Sequence, residues 1–156
     1  MSRVDEDDEA TRSLYPTNTC FDDAMEYIEF RLTEDPSLVH DERLILTHVL
    51  AEVLEPGPHQ GEIITHAFCV ENGECVDMWI LNGERVAAFR TPSEMAQSLR
   101  IIESTRYNLK QVHQENVRSG TYGPWEQKYL DHVRNRESRD KATSEKTLID
   151  EDHPIR

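Results

Sequence analysis

Residues 63–89 read IITHAFCVENGECVDMWILNGERVAAF. Runs rich in β-branched and aromatic side chains alternate here with Asn72-Gly73 and Asn82-Gly83, and Asn-Gly between two such runs is the preferred signal of a two-residue hairpin turn. The stretch therefore predicts a three-stranded antiparallel meander, with strands at 63–70, 75–81 and 85–89.

The first hairpin also predicts which side chains share a face of the sheet. If the Asn-Gly pair occupies the two central turn positions, His66 faces Trp79 across the hairpin. Because side chains alternate along a strand, His66, Cys75 and Asp77 share one face and Cys69 lies on the other. His66 and Asp77 are then diagonal neighbours, which places their side chains within hydrogen-bonding reach.

The segments on either side of the meander contain helical patterns. Apolar residues recur at helical spacing after Cys20, with Asn18 or Thr19 as the cap, so Cys20 is expected to open a helix. Residues 38–54 fit a helix or a strand, and their alternating apolar side chains favour a strand. Thr91-Pro92-Ser93-Glu94 forms a capping box that predicts a helix from Pro92 to about Ser104.

These elements define an α+β fold, in which helices pack on one antiparallel sheet. The chain of 156 residues fits one domain, which we expect at residues 15–133. Residues 1–14 carry an acidic run and almost no large apolar side chain, so they are expected to form a disordered arm. Residues 134–156 are expected to form a charged, mobile tail for the same reason.

Composition excludes some classes of partner. The chain has 31 acidic against 17 basic residues and a formal net charge of -14, which opposes binding to the phosphate backbone of nucleic acids. No membrane-spanning segment or secretory signal is visible, and three cysteines are too few for a disulfide framework. The sequence therefore predicts a cytoplasmic protein with reduced thiols. It gives no indication of the oligomeric state.

Cys20, His66 and Asp77 are candidates for a catalytic triad. A thiol in the first turn of a helix lies near the positive end of the helix dipole, which favours the thiolate, although Asp22 and Asp23 oppose that effect. His66 can act as the imidazolium partner of the thiolate, and Asp77 can orient its ring. This arrangement requires the first turn of the helix to dock over the face of the meander that carries His66.

The order Cys, His, Asp, with the cysteine at a helix start and the other two residues on adjacent strands, resembles the papain-like and transglutaminase-like cysteine hydrolases. The matching fragments are Asn18-Thr-Cys20, His66-Ala-Phe and Cys75-Val-Asp77. The resemblance implies a papain-like core, acyl transfer from an amide or ester through a thioester on Cys20, and no metal or organic cofactor. Substrates would be proteins, peptides or small amides and esters, as for peptidases, amidases, deamidases and transglutaminases.

Two further residues are expected near the substrate. The backbone N–H of Cys20 and the side chain of Asn18 are candidate donors of an oxyanion hole. Trp79, which faces His66 in the predicted register, is expected beside the substrate. The glutamine that papain-type enzymes place before the cysteine has no equivalent in Tyr15-Pro16-Thr17.

Three other interpretations remain open. The cysteine, histidine and aspartate can be ordinary buried residues. Cys69 and Cys75 could join His66 in a zinc site, but the predicted register places Cys69 on the opposite face and no Cys-x-x-Cys pair exists. Alternatively, the acidic chain is a non-catalytic interaction protein that binds a basic partner.

Overall fold

The computed structural model describes residues 19–133, and the described chain is α+β. The chain divides into two compact units after Trp125, and residues 127–133 of the second unit are helical. The described part of the first unit contains nine elements in chain order: α1 at Cys20–Glu34, a short 3-10 helix at Pro36–His40, β1 at Leu44–Val53, β2 at Ile63–Glu71, β3 at Glu74–Leu81, β4 at Glu84–Arg90, α2 at Pro92–Ser98, β5 at Leu99–Tyr107 and α3 at Leu109–Ser119.

The five strands form one antiparallel sheet in the order β4-β3-β2-β1-β5. The predicted meander is confirmed as β2, β3 and β4, and both Asn-Gly turns have the positive φ angles that a type I′ turn requires. The predicted register is confirmed where β2 and β3 pair, because Val70 lies opposite Cys75 and Cys69 opposite Val76. The preference for a strand within residues 38–54 is also confirmed, by β1.

Each face of the sheet contributes to its own hydrophobic core. On one face, α1 packs through residues such as Phe21 and Ile28 with Ala67, Cys69 and Val76. The core of the other face contains Val49, Ala51, Val53, Ile64, Phe68, Cys75, Met95 and Leu99. Cys69 and Cys75 therefore lie on opposite faces, as the alternation along the strands predicts.

Helix α1 begins at Cys20, as predicted. Its capping residue is Thr19, whose carbonyl accepts the backbone N–H of Asp23 at 2.8 Å. The buried side chains of α1 recur at helical spacing and face the sheet, whereas Phe30 on the opposite side is 60 % exposed. Cys20 thus occupies the first helical position at the edge of this core.

The predicted helix from Pro92 to Ser104 is wrong in its second half. The capping box of Thr91 and Glu94 is present, but α2 ends at Ser98 and Leu99 opens β5. β5 pairs along β1, from Leu46–Tyr107 to Val53–Leu99. Ladder hydrogen bonds to an open sheet edge outweigh the weak helical stripe, which is why tertiary context overrides the local pattern here.

Several expectations concern residues outside the described part of the chain. The acidic arm at 1–14, the tail at 134–156 and Asn18 all lie outside residues 19–133. Within the described residues, no helix is both long and apolar enough to cross a bilayer.

Candidate functional site

A buried hydrogen bond joins His66 on β2 to Asp77 on β3. His66 Nε2 lies 2.7 Å from Asp77 Oδ1, and the two side chains are 5 % and 4 % exposed. This is the diagonal contact that the hairpin register predicts. The backbone ladder between β2 and β3 extends only to Cys69 and Val76. The His66–Asp77 hydrogen bond therefore joins the two strands beyond the last described backbone pair.

Arg90 completes the surroundings of the Asp77 carboxylate. Its Nη2 donates to Asp77 Oδ2 at 2.5 Å, while its Nη1 donates to Ser98 at the end of α2. Asp77 therefore binds a cationic partner on each oxygen when His66 is protonated. A buried carboxylate with two such partners stays ionised and holds the imidazole in a fixed orientation.

The Cys20 thiol interacts with the ring of His66. A side-chain hydrogen bond with Cys20 is among the contacts that favour the protonated ring. Cys20 itself is 6 % exposed. Cys20 and Asp77 therefore both act on the charge of the same buried ring.

The charges of this cluster shift two pKa values in opposite directions. Burial lowers the pKa of His66, but the charge of Asp77, its hydrogen bond and the contact with Cys20 outweigh burial, so the pKa lies well above its ordinary value. Burial likewise raises the pKa of Asp77, yet His66 and Arg90 together hold it below its ordinary value. Near neutral pH the pair is therefore an imidazolium with a carboxylate.

The docking of α1 differs from the expected arrangement. The helix covers the face of the sheet that carries Ala67, Cys69 and Val76, whereas His66 belongs by alternation to the other face. The expectation that the first turn docks over the His66 face is therefore wrong.

Of the other two predicted site residues, Asn18 lies outside the described residues and Trp79 lies beside the Asp77 pair. Trp79 is partly buried, and the guanidinium of Arg90 lies 5.9 Å from its ring centroid, so Trp79 packs beside the Asp77 pair. Phe68 stacks on His66 with ring centroids 6.0 Å apart. Within residues 19–133, no group of three or more His, Cys, Asp or Glu side chains is placed to hold a metal ion.

The analysis of the sequence missed Arg90. In the β3–β4 register Arg90 lies opposite Cys75 and hence on the Asp77 face. The second Asn-Gly turn already implies this pairing. The diagonal argument that predicts the His66–Asp77 contact therefore also predicts that Arg90 lies near Asp77.

A second buried carboxylate was also missed. Glu71, at the end of β2, accepts hydrogen bonds from the Tyr27 hydroxyl and from the guanidinium of Arg31, whose Nη2 lies 2.7 Å from Oε2. These contacts hold α1 against the sheet at the end of β2, away from the candidate triad. Burial raises the pKa of the Tyr27 hydroxyl, as does its hydrogen bond to Glu71, so it stays protonated and acts as a donor.

Comparison of the chain with protein-family models, curated proteins and solved structures found no match. The function proposed below is therefore argued from the side chains of this chain alone.

Proposed function

We propose that the protein is a thiol-dependent acyl-transfer enzyme in which Cys20, His66 and Asp77 form the catalytic triad. The observation that carries this proposal is the buried hydrogen bond of 2.7 Å between His66 Nε2 and Asp77 Oδ1, on a ring whose charge the Cys20 thiol also influences. The raised pKa of His66 supports it, because an imidazolium beside the sulfur stabilises the thiolate, which is the nucleophilic form. The papain-like core inferred from the order of the residues is part of the same proposal.

In the first half of the reaction, the thiolate of Cys20 attacks the carbonyl carbon of an amide or ester. The imidazolium of His66 gives its proton to the departing amine or alcohol as the C–N or C–O bond breaks, and a thioester remains on Cys20. Asp77 keeps the His66 ring oriented while the ring loses its proton. The backbone N–H groups at the start of α1 are the available donors for the developing oxyanion.

In the second half, water or an acceptor amine attacks the thioester. Neutral His66 takes the proton of that nucleophile, and Cys20 Sγ leaves as the thiolate. This restores the thiolate and imidazolium without any metal or organic cofactor. Because Cys20 is 6 % exposed, the acyl group meets Sγ only when the residues beside the helix start move aside.

The proposal is tested by the reaction with a p-nitrophenyl ester. We expect a burst of nitrophenol equal to one turnover per chain, and a matching acyl adduct on Cys20 in peptide mass spectrometry. Cys20→Ser abolishes the burst. Cys75→Ser, which alters a thiol of nearly the same exposure on the other core, retains it. A burst that survives Cys20→Ser contradicts the proposal.

A second candidate function is the binding of a basic protein segment. It is favoured by a groove of about 740 Å³ between α1 and the edge strand β4, which we call the acidic groove. Among the described residues, four carboxylates line it against two guanidinium groups, beside two exposed aromatic rings: Glu26, Glu34, Glu71 and Glu84, Arg31 and Arg85, and Phe30 and Phe89. Exposed aromatic side chains beside several carboxylates suit an extended peptide in which lysine alternates with apolar residues. An unpaired edge strand can add such a peptide to the sheet.

A peptide of alternating lysine and valine tests this second function. Its binding should weaken steeply as salt increases and should persist in Cys20→Ala. Glu34→Gln and Glu84→Gln, which remove carboxylates from the acidic groove, are expected to weaken it. Glu103→Gln on β5 is the matched control on the other sheet edge, and an equal loss in that variant rules out the acidic groove.

A further inference from the structure

The face of the sheet opposite α1 carries a cavity of about 760 Å³. Its floor is formed by alternate residues of two central strands, Ile45 and Val49 of β1 with Phe68 and Val70 of β2, and Met95 of α2 also lines it. We call this the sheet cavity. Its volume falls in the range of pockets that hold small organic ligands, and its floor is apolar, as is common for such pockets.

Two polar residues lie side by side on the wall of the sheet cavity. Thr47 and Arg106 both line it and pair across β1 and β5, so their side chains lie side by side. Thr47 is 4 % exposed, and its Oγ1 has no hydrogen-bond partner in the described part of the chain. Buried hydroxyl groups are nearly always bonded, so an unmet one beside a cavity points to a ligand.

The charge on this wall selects the kind of ligand. Arg106 is exposed and forms no ion pair with any residue in 19–133, whereas nearby Arg43 is bound to Asp41 at 2.8 Å. Glu42 also lines the sheet cavity, but it forms no ion pair with Arg106 in the described residues. A guanidinium without an ion-pair partner beside an apolar cavity favours a carboxylate ligand, which it can bind through two parallel hydrogen bonds.

We propose that the sheet cavity binds an amphiphilic carboxylate of the fatty-acid type, whose carboxylate pairs with Arg106 and accepts a hydrogen bond from Thr47. The alkyl chain then lies on the floor between Ile45 and Phe68, toward Met95. Neither Cys20 nor Asp77 lines the sheet cavity, so this proposal does not rest on the proposed acyl transfer; Phe68, which stacks on His66, is shared by the two regions.

Calorimetric titration of the full chain with decanoate, below its micelle concentration, tests the proposal. We expect saturable binding of one decanoate per chain, and weaker binding of decanol, which has the same chain length without the charge. Arg106→Gln should weaken decanoate binding about tenfold and leave decanol binding unchanged. Thr47→Val, which keeps the side-chain shape and removes the hydroxyl, should weaken decanoate binding by a smaller factor.

Arg100→Gln is the matched control, because Arg100 lies on the same strand but binds Glu52 outside the sheet cavity. It should bind decanoate as the unaltered chain does. The proposal is overturned if decanoate does not saturate, or if Arg100→Gln and Arg106→Gln weaken binding equally.

Discussion

At the scale of single residues, the charge of the His66 side chain depends on its neighbours. The ring is buried, yet Asp77 and Cys20 favour its protonated form, and Arg90 on the far side of Asp77 keeps the carboxylate ionised. A buried charge without a partner costs several kcal/mol, so removing either member of such a pair is costly, about 3–5 kcal/mol. The contact between His66 and Asp77 therefore contributes to the stability of the fold.

This coupling predicts how stability depends on pH. The pKa of His66 is higher in the folded chain than its ordinary value of about 6.5, so its contribution is complete below that pH and is lost as pH rises through the folded pKa. We expect the free energy of unfolding to fall with rising pH above about 7, by up to about 1.4 kcal/mol per pH unit from this group.

Urea titrations at a series of pH values measure this slope. His66→Gln should flatten it, whereas His59→Gln, which alters an exposed histidine bound to Glu62, should leave it unchanged. A slope that is the same in His66→Gln and in the unaltered chain would show that His66 is not protonated in the folded state.

At the scale of elements, the start of α2 depends on a local signal. Thr91 Oγ1 accepts the backbone N–H of Glu94 at 3.1 Å, and Glu94 accepts the backbone N–H of Thr91. Thr91→Ala should cost about 1 kcal/mol of unfolding free energy in urea titration, because it leaves one of these donors without its partner. Ser93→Ala, at an exposed position in the same turn, should change it little, and an equal loss in both would mean that the cap does not stabilise α2.

Elements with local signals could be predicted from the sequence, and those that depend on distant partners could not. The two Asn-Gly turns fix the meander and thereby the His66–Asp77 contact, because a two-residue turn determines the register of its hairpin. β5 was predicted as helix because its partner, β1, lies about fifty residues earlier in the chain. Its dense β-branched residues, such as Ile101 and Ile102, were the available signal.

The docking of α1 could not be predicted for a similar reason. Both faces of the sheet carry apolar side chains, so an amphipathic helix can cover either one. The hairpin signals thus predict the His66–Asp77 contact, whereas the face that α1 covers depends on packing that no local pattern specifies.

At the scale of the whole molecule, the order of the strands predicts a gradient of local stability in the sheet. β1 is paired with β2 and β5 along its length, and β2 is paired with β1 along its length and with β3 at its end, whereas β4 and β5 each have one partner strand in the described residues. Backbone amides whose hydrogen bonds open only on global unfolding exchange most slowly. Hydrogen exchange measured by mass spectrometry should therefore be slowest in β1 and β2 and faster in β4, and a β4 better protected than β2 would contradict the strand order.

The arrangement as a whole separates two candidate binding regions. The Cys20–His66–Asp77 contact lies where β2 and β3 part, while the sheet cavity lies over β1, β2 and β5 beside α2. Thr47 and Arg106 make none of the described contacts of His66 or Asp77, so variants at these two positions test the sheet cavity by itself. Within the described residues, the acidic groove forms a third surface, beside the edge strand β4.

The central claim is that the imidazolium of His66 prepares Cys20 as a thiolate, and alkylation by iodoacetamide at a series of pH values tests it most directly. Peptide mass spectrometry reports Cys20, Cys69 and Cys75 separately, and Cys75 is the matched control because its exposure is nearly that of Cys20. The account predicts that Cys20 reacts fastest and nearly independently of pH between about 6 and 8, and that Asp77→Asn slows it. If Cys20 instead reacts no faster than Cys75, with the same rise toward alkaline pH, the thiol is an ordinary buried residue and the account is wrong.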